Sequence, residues 1–129
     1  MSNVPGQLRY TADHEYVEPT ADAAVVGVGI TDYAQGELGD VVYVSLPKVG
    51  DTFDAHQSFG TIEAVKAVSE LFMPVAGEIV EVNGALDADP AAINRDPYGA
   101  GWMVRVRVKD ASSVPALLDA AAYRKHIGE

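Results

Sequence analysis

Apolar residues recur along this chain with two periods, and the changes between them mark its elements. "EYVE" and then "AAVVGVGI" (23–30) are rich in valine, with period-two spacing at Val26, Val28 and Ile30, which predicts strands. Thr31 offers an N-cap to a short helix, "DYAQGELG", that Gly36 or Gly39 should stop. "DVVYVSLP" (40–47) reads as a further strand closed by Pro47 and the turn-forming "KVGD", and "EIVEVNG" (78–84) alternates again and ends in the turn pair Asn83-Gly84. In "GWMVRVRVKD" the pattern places Trp102, Val104, Val106 and Val108 on a core face and Arg105, Arg107 and Lys109 in solvent. "ALDADPAAINRDPYGAG" reads as ordered loop with one helical turn at Ala91 to Asn94. The tail, "SSVPALLDAAAYRKHIGE", predicts a helix capped by Ser113 ahead of Pro115, docked on the sheet through Leu117, Leu118, Ala121, Ala122 and Ile127.

One segment resists a single reading. "GTIEAVKAVSELFMPVAG" (60–77) fits a helix by periodicity, with Ile62, Val65, Val68 or Ser69, and Phe72 on one stripe, and by its Ala, Glu, Lys and Leu content. On that reading Lys66 is an ordinary solvated cation. The β-rich neighbours and the flanking Gly60 and Met73-Pro74 support a second reading: two strands, 57–64 and 68–73, joined by a tight turn with Val65-Lys66 at its tip. An exposed tip lysine between small residues suits an acylating enzyme, although neither Val nor Lys favours a turn. Such local conflicts mark functional sites. A third reading makes Lys66 a desolvated Schiff-base nucleophile, with Glu63 and Glu70 nearby but no Gly-rich anion loop.

An internal echo bears on the choice. "GDVVYV" (39–44) and "GEIVEV" (77–82) share the order Gly, acid, β-branched, Val, variable, Val, as a two-fold repeat of strand hairpins would produce, with Lys66 in the link between the halves.

Composition narrows the classes. The chain has 129 residues, nearly half of them apolar (48%), enough for one ordinary core. It has no cysteine, which excludes disulfides, thiolate metal sites and a cysteine nucleophile and fits a reducing compartment. The net charge of −10 repels phosphate backbones and anionic lipid, so basic protein faces are the expected partners rather than nucleic acid or membrane. "MSNVPGQLRY" shows neither a secretory signal nor a transit peptide, and a cytoplasmic location is expected. "GVGITDYAQG" lacks the third glycine of a dinucleotide loop, and His14, His56 and His126 lack ligand spacing, so no metal is expected.

Four blocks in register carry a resemblance that spans nearly the whole chain. "YTADHEYV", "VGITDYAQGELGDVVYVSLPKVGD", "IEAVKAVSELFMPVAGEIVEVN" and "NRDPYGAGWMVRV" resemble, in order and spacing, the glycine cleavage system H protein family of lipoyl carriers. The resemblance implies that Lys66 carries covalent lipoate. It also implies that Glu63, three residues before it, and Gly77, eleven after, help the lipoylating enzyme recognise its target. Carried over by position, Asp13, Glu15 and Glu70 are the acids expected to hold the aminomethyl arm in a surface cleft, with His14 available to orient one of them. The chain departs from the family pattern at Ala64, where serine is common, and at Tyr16, where His-Glu-Trp is usual.

The implied fold is mostly β: a flattened barrel or sandwich of two pseudo-two-fold-related sheets, of lipoyl/biotinyl-carrier type, with a short internal helix and a C-terminal helix. The whole chain, 1–129, is expected to form one lipoyl-carrier domain, with its core at about 22–109 and the helix at about 113–127. The implied role is that of a monomeric shuttle, not an enzyme. Its partners would be glycine decarboxylase, aminomethyltransferase, dihydrolipoyl dehydrogenase and the lipoylating enzyme. The alternatives are another lipoyl or biotin swinging-arm carrier, whose hairpins usually read Asp-Lys-Ala or Met-Lys-Met, and a Schiff-base lyase using Lys66.

Overall fold

A computed structural model describes residues 2–129. The elements are β1 (Arg9–Tyr10), β2 (Glu15–Pro19), β3 (Val25–Ile30), α1 (Asp32–Leu38), β4 (Val41–Ser45), β5 (Thr52–Phe53), β6 (Ser58–Ala64), β7 (Val68–Phe72), β8 (Gly77–Val82), α2 (Ala92–Arg95), β9 (Val104–Val108) and α3 (Ala120–Ile127). A six-stranded sheet, β1-β2-β3-β9-β8-β5, faces a three-stranded sheet, β4-β6-β7. Neither closes on itself, so the architecture is a sandwich and not a barrel.

The period-two reading of β3 holds: Val26, Val28 and Ile30 enter the main core with Val104, Val106 and Ile79 of the large sheet and Val41, Val44, Ile62 and Leu71 of the small one. Burying such side chains stabilises each by roughly 1.5–3 kcal/mol. The two copies of the sequence echo fall in opposite sheets, with Val41 of β4 and Ile79 of β8 both buried. The other face of β3 is covered too, which explains why all six of its residues are buried. There Tyr16, the cross-strand partner of Gly29, lies so close that a Cβ on Gly29 would stand 2.7 Å from its hydroxyl.

The elements around α1 form as their caps dictate. Thr31 accepts a hydrogen bond from the Ala34 amide, and Gly39, at φ 78°, ends the helix, whereas Gly36 lies inside it. The turn expected at 91–94 is α2.

Two expectations are corrected. The C-terminal helix begins at Ala120 with Asp119 as its cap, not at Ser113, which belongs to a 3-10 turn over Ala111–Ser113. Residues 114–118 cannot continue a helix because Leu118 exchanges both backbone hydrogen bonds with Tyr10 at 2.8 and 2.9 Å, extending β1. Ala121 and Ala122 are exposed; Tyr123 docks the helix, stacked on Tyr10 with ring centroids 4.7 Å apart. On β9, Met103 and not Trp102 fills the core, because the strand starts only at Val104. Trp102 stays half-buried beneath the Arg105 guanidinium, 4.1 Å from the ring centroid.

Candidate functional site at the β6–β7 hairpin

The segment that fits a helix by periodicity is a hairpin. Strand pairing overrides propensity here: β6 is the central strand of its sheet, paired to β4 on one side and β7 on the other, and its Ile62 is needed in the core opposite Val44. The Ala64 amide donates to the Ala67 carbonyl at 2.8 Å and closes a turn with Val65 and Lys66 at the tip. The tip is not free-standing, because the Val65 amide donates to the Asp40 carbonyl at 2.9 Å. Val65 and Val68 are 72% and 70% exposed, and Lys66 is exposed between them. The aliphatic stem of Lys66 lies over Gly39, where a Cβ would meet its Cε at 3.2 Å and its Cδ and Cγ at 3.3 Å.

Beside the tip a cleft of about 280 Å³ opens between the start of β2, α1 and the β6–β7 pair. Ile30, Leu38, Ile62 and Leu71 form its apolar walls, and Asp13, Glu15, Glu37 and Glu70 supply acids around it. Glu15 is the buried one, only 2% exposed. The Thr11 hydroxyl donates to its Oε1 at 3.0 Å and the Phe72 amide to its Oε2 at 3.4 Å. Burial pushes the Glu15 carboxyl up to about 8; the two hydrogen bonds pull it back and the nearby Asp13 adds to the rise. A neutral acid facing an anionic rim is poised to ionise when a cation enters.

His14 reaches the same cleft in a left-handed backbone conformation, φ 72°, that a non-glycine residue adopts only when held. Its Nδ1 lies 2.9 Å from the Tyr123 hydroxyl, which is 2.7 Å from Thr31 Oγ1, so the α1 cap, the cleft and α3 share one hydrogen-bonded chain. Burial, with the neighbouring His126 adding to it, lowers the His14 pKa. The two histidine rings, far apart in sequence, are 5.6 Å apart.

The cleft thus collects Asp13, Glu15 and Glu70 from separate parts of the chain, but not equivalently. By strand register Glu70 shares the outer row with Thr61 and Ser45, whereas Ser69 and Leu71 alternate toward the cleft with Ile62. Sequence reasoning missed Ser69 and Glu37. Glu37 was legible: Tyr33, Ala34, Glu37 and Leu38 of α1 all line the cleft and are spaced i, i+4.

The two residues expected to aid recognition differ in kind. Glu63 is exposed on the outer face in a cross-strand row with Tyr43 and Val68. Gly77 is buried beyond the base of the hairpin, in the other sheet, where a Cβ would overlap the Arg107 carbonyl oxygen and come within 2.5 Å of Val106 Cγ1.

The family model described as glycine cleavage H-protein matches residues 8–129. The chain belongs to this family. It is 56% identical over 127 residues to the glycine cleavage system H protein of Chlorobium limicola, covering 98% of this chain and 99% of that protein. To the H protein of Halalkalibacterium halodurans it is 49% identical over 129 residues, covering 100% and 99%. The crystal structure of a glycine cleavage system H protein from Mycobacterium marinum matches with a TM-score of 0.88 at 45% identity, over 98% of this chain and 100% of that one. The H-protein match therefore takes in the hairpin, the cleft and α3 together.

Proposed function

We propose that this chain is the lipoylated carrier of the glycine cleavage system. It takes the aminomethyl group of glycine from a pyridoxal-phosphate-dependent decarboxylase to a tetrahydrofolate-dependent aminomethyltransferase, and a dihydrolipoyl dehydrogenase reoxidises its arm. It is a carrier component and not an enzyme: catalysis belongs to the partners and the redox chemistry to the cofactor. One observation supports the attachment site: Lys66 lies exposed at the hairpin tip with its stem over Gly39, the chain neighbour of Leu38, which lines a cleft that ends in a buried acid.

Lys66 fits lipoate attachment because Ala64 and Ala67 leave its amine open to an enzyme. Amide formation removes the lysine charge, and Gly39 lets the stem lie flat. Once attached, lipoate supplies a disulfide whose sulfur takes up the aminomethyl group. The cleft suits an arm with an apolar body and a cationic end, apolar along Ile30, Leu38, Ile62 and Leu71 and acidic at Glu15. When an ammonium enters, Glu15 loses its carboxyl proton to solvent through the cleft, and the carboxylate then holds the cation by a charge-assisted contact of roughly 1.5–3 kcal/mol. Asp13 raises the local negative potential, and Glu70 contributes from the outer face. That strength parks the arm yet allows release to the next partner, and tethering keeps the cargo at about mM effective concentration.

For the lipoylating enzyme, Glu63 is a direct contact, and Gly77 acts through the fold that presents the hairpin. The partner enzymes offer basic rims to a carrier of net charge −10, in the cytoplasm. No helix among the described residues is long and apolar enough to cross a membrane. The reading is tested by incubating the lipoylated chain with glycine and the decarboxylase. Glycine-dependent appearance of the reduced, loaded arm supports it; an arm that responds only to a 2-oxo acid dehydrogenase assigns the chain to another lipoyl system.

A further inference from the structure

The segment between β8 and β9 holds a residue whose bonds converge, from outside the hairpin, on the backbone against which the lysine tip rests. Asn94, in α2, is half-buried, and three of its four amide hydrogen-bonding positions are used. Its Oδ1 accepts from the Val41 amide at 2.8 Å, and its Nδ2 donates to the Gly39 carbonyl at 2.9 Å and to Gln35 Oε1 at 3.0 Å. The amide orientation follows from its partners, since a backbone N–H can only donate and a carbonyl only accept. The residue bracketed by these bonds is Asp40, whose carbonyl takes the Val65 amide. Gly39 beside it carries the Lys66 stem, at φ 78° and ψ −160°, a conformation almost confined to glycine that persists only where surrounding bonds fix it. The Gly39 amide, donating to the Gln35 carbonyl at 3.0 Å, completes the set.

We propose that Asn94 is a positioning residue for the acylation of Lys66: by pinning Gly39 and Val41 it fixes the bed to which the hairpin tip bonds and on which the lysine stem lies. The inference rests on the reading of Lys66 as the lipoyl-lysine. In the reaction it serves, the Lys66 ammonium loses two protons and its nitrogen forms the amide bond to the acyl carbon of a lipoyl-adenylate, whose carbon–oxygen bond breaks to release AMP. An enzyme that must place an acyl carbon against that nitrogen gains from a tip held in one orientation, and misplacement by an ångström is costly. Asn94 touches neither acyl group nor amine; it acts through the backbone of Gly39 and Asp40. The requirement for an amide is specific, because a carboxylate here would set anionic oxygen against the Gly39 carbonyl and the Gln35 side-chain oxygen.

The test compares wild type with Asn94→Asp and with the milder Asn94→Ser. Each is acylated by a lipoate ligase with ATP and lipoate, and separately by N-hydroxysuccinimidyl acetate, a small reagent that needs no fixed tip. Backbone amide exchange is read by NMR. The proposal expects ligase kcat/KM to fall about tenfold in both variants. Chemical acetylation of Lys66 should keep its rate, and Val65 amide exchange should accelerate while β9 and α3 amides stay protected. Unchanged ligase kinetics in a folded variant overturn it, as does a deficit that comes with loss of protection across β9 and α3. Wild type alone decides one point without any variant: a Val65 amide exchanging at the free-peptide rate overturns the fixed bed. If wild type is not acylated on Lys66 at all, the lipoyl reading fails and the proposal with it; an acylated wild type beside unimpaired variants sinks the proposal alone.

Discussion

Lys66 lies across Gly39, so close that a Cβ on that glycine would press its stem at 3.2 to 3.3 Å. Any side chain at 39 meets two penalties at once, the positive φ of 78° and the 3.2 Å approach of Lys66 Cε. Gly39→Ala should destabilise the chain by about 1–2 kcal/mol from backbone strain alone. It should also lift the lysine off its seat and slow lipoylation beyond what the stability loss explains. Urea denaturation and ligase kinetics on the same preparation check both parts.

Glu15 gives stability a pH dependence with a defined sign. Its carboxyl rises from 4.5 to about 8 on folding, so between those values the folded state holds a proton that the unfolded chain has lost. Its stabilising contribution is complete below about pH 4.5 and declines as pH rises, by up to about 1.4 kcal/mol per pH unit, until the folded carboxyl ionises near 8. Glu15→Gln, neutral at every pH, should flatten the fall in Tm between pH 5 and pH 9. An equally steep fall in the variant would assign the dependence to other groups.

The same substitution should speed loss of the aminomethyl group from a loaded arm, whereas Glu70→Gln, on the outer row, should have the smaller effect. Release followed by mass spectrometry ranks the two; equal decay in wild type and Glu15→Gln would remove Glu15 as the clamp.

Tyr123→Phe removes one hydroxyl shared by Thr31 and His14. Leaving two buried or half-buried partners short should cost about 1–3 kcal/mol. The stacked ring on Tyr10 remains, so the loss isolates the polar chain from the packing of α3. Equilibrium denaturation measures it, with α3 expected to stay folded by amide exchange.

Glu63 and Gly77 should separate recognition from folding. Glu63→Gln, on an exposed row, should leave stability within about 0.5 kcal/mol of wild type yet raise the ligase KM. Gly77→Ala forces a methyl group into the β9 backbone and should destabilise by about 1–3 kcal/mol, with modification falling as the fold loosens. Thermal melts beside ligase kinetics distinguish the two patterns.

Much of this molecule was legible one residue at a time. The valine alternation of β3, the Thr31 cap and the inward Val104 and Val106 follow from local rules that the sandwich obeys. The hairpin was legible only as a conflict, because Ala, Glu and Leu favour helix and nothing local reveals that β4 is waiting to pair with β6. The start of α3 was misread for the same reason: Leu118 bonds to Tyr10, which no window around Pro115 contains. Trp102 looked like core from alternation, but the strand begins two residues too late to include it, and Met103 takes the place. The acids of the cleft could be named only through resemblance, since Asp13 and Glu15 reach Ser69 and Glu70 through tertiary contact alone.

The central claim is that Lys66 is the handle for lipoate, and intact-mass analysis after reaction with a lipoate ligase, ATP and lipoate tests it most directly. The account predicts a mass increase of one lipoyl group per chain, mapped to Lys66 by peptide sequencing and absent from a folded Lys66→Ala variant. No adduct on the wild-type chain, or an adduct that survives the loss of Lys66, would contradict it.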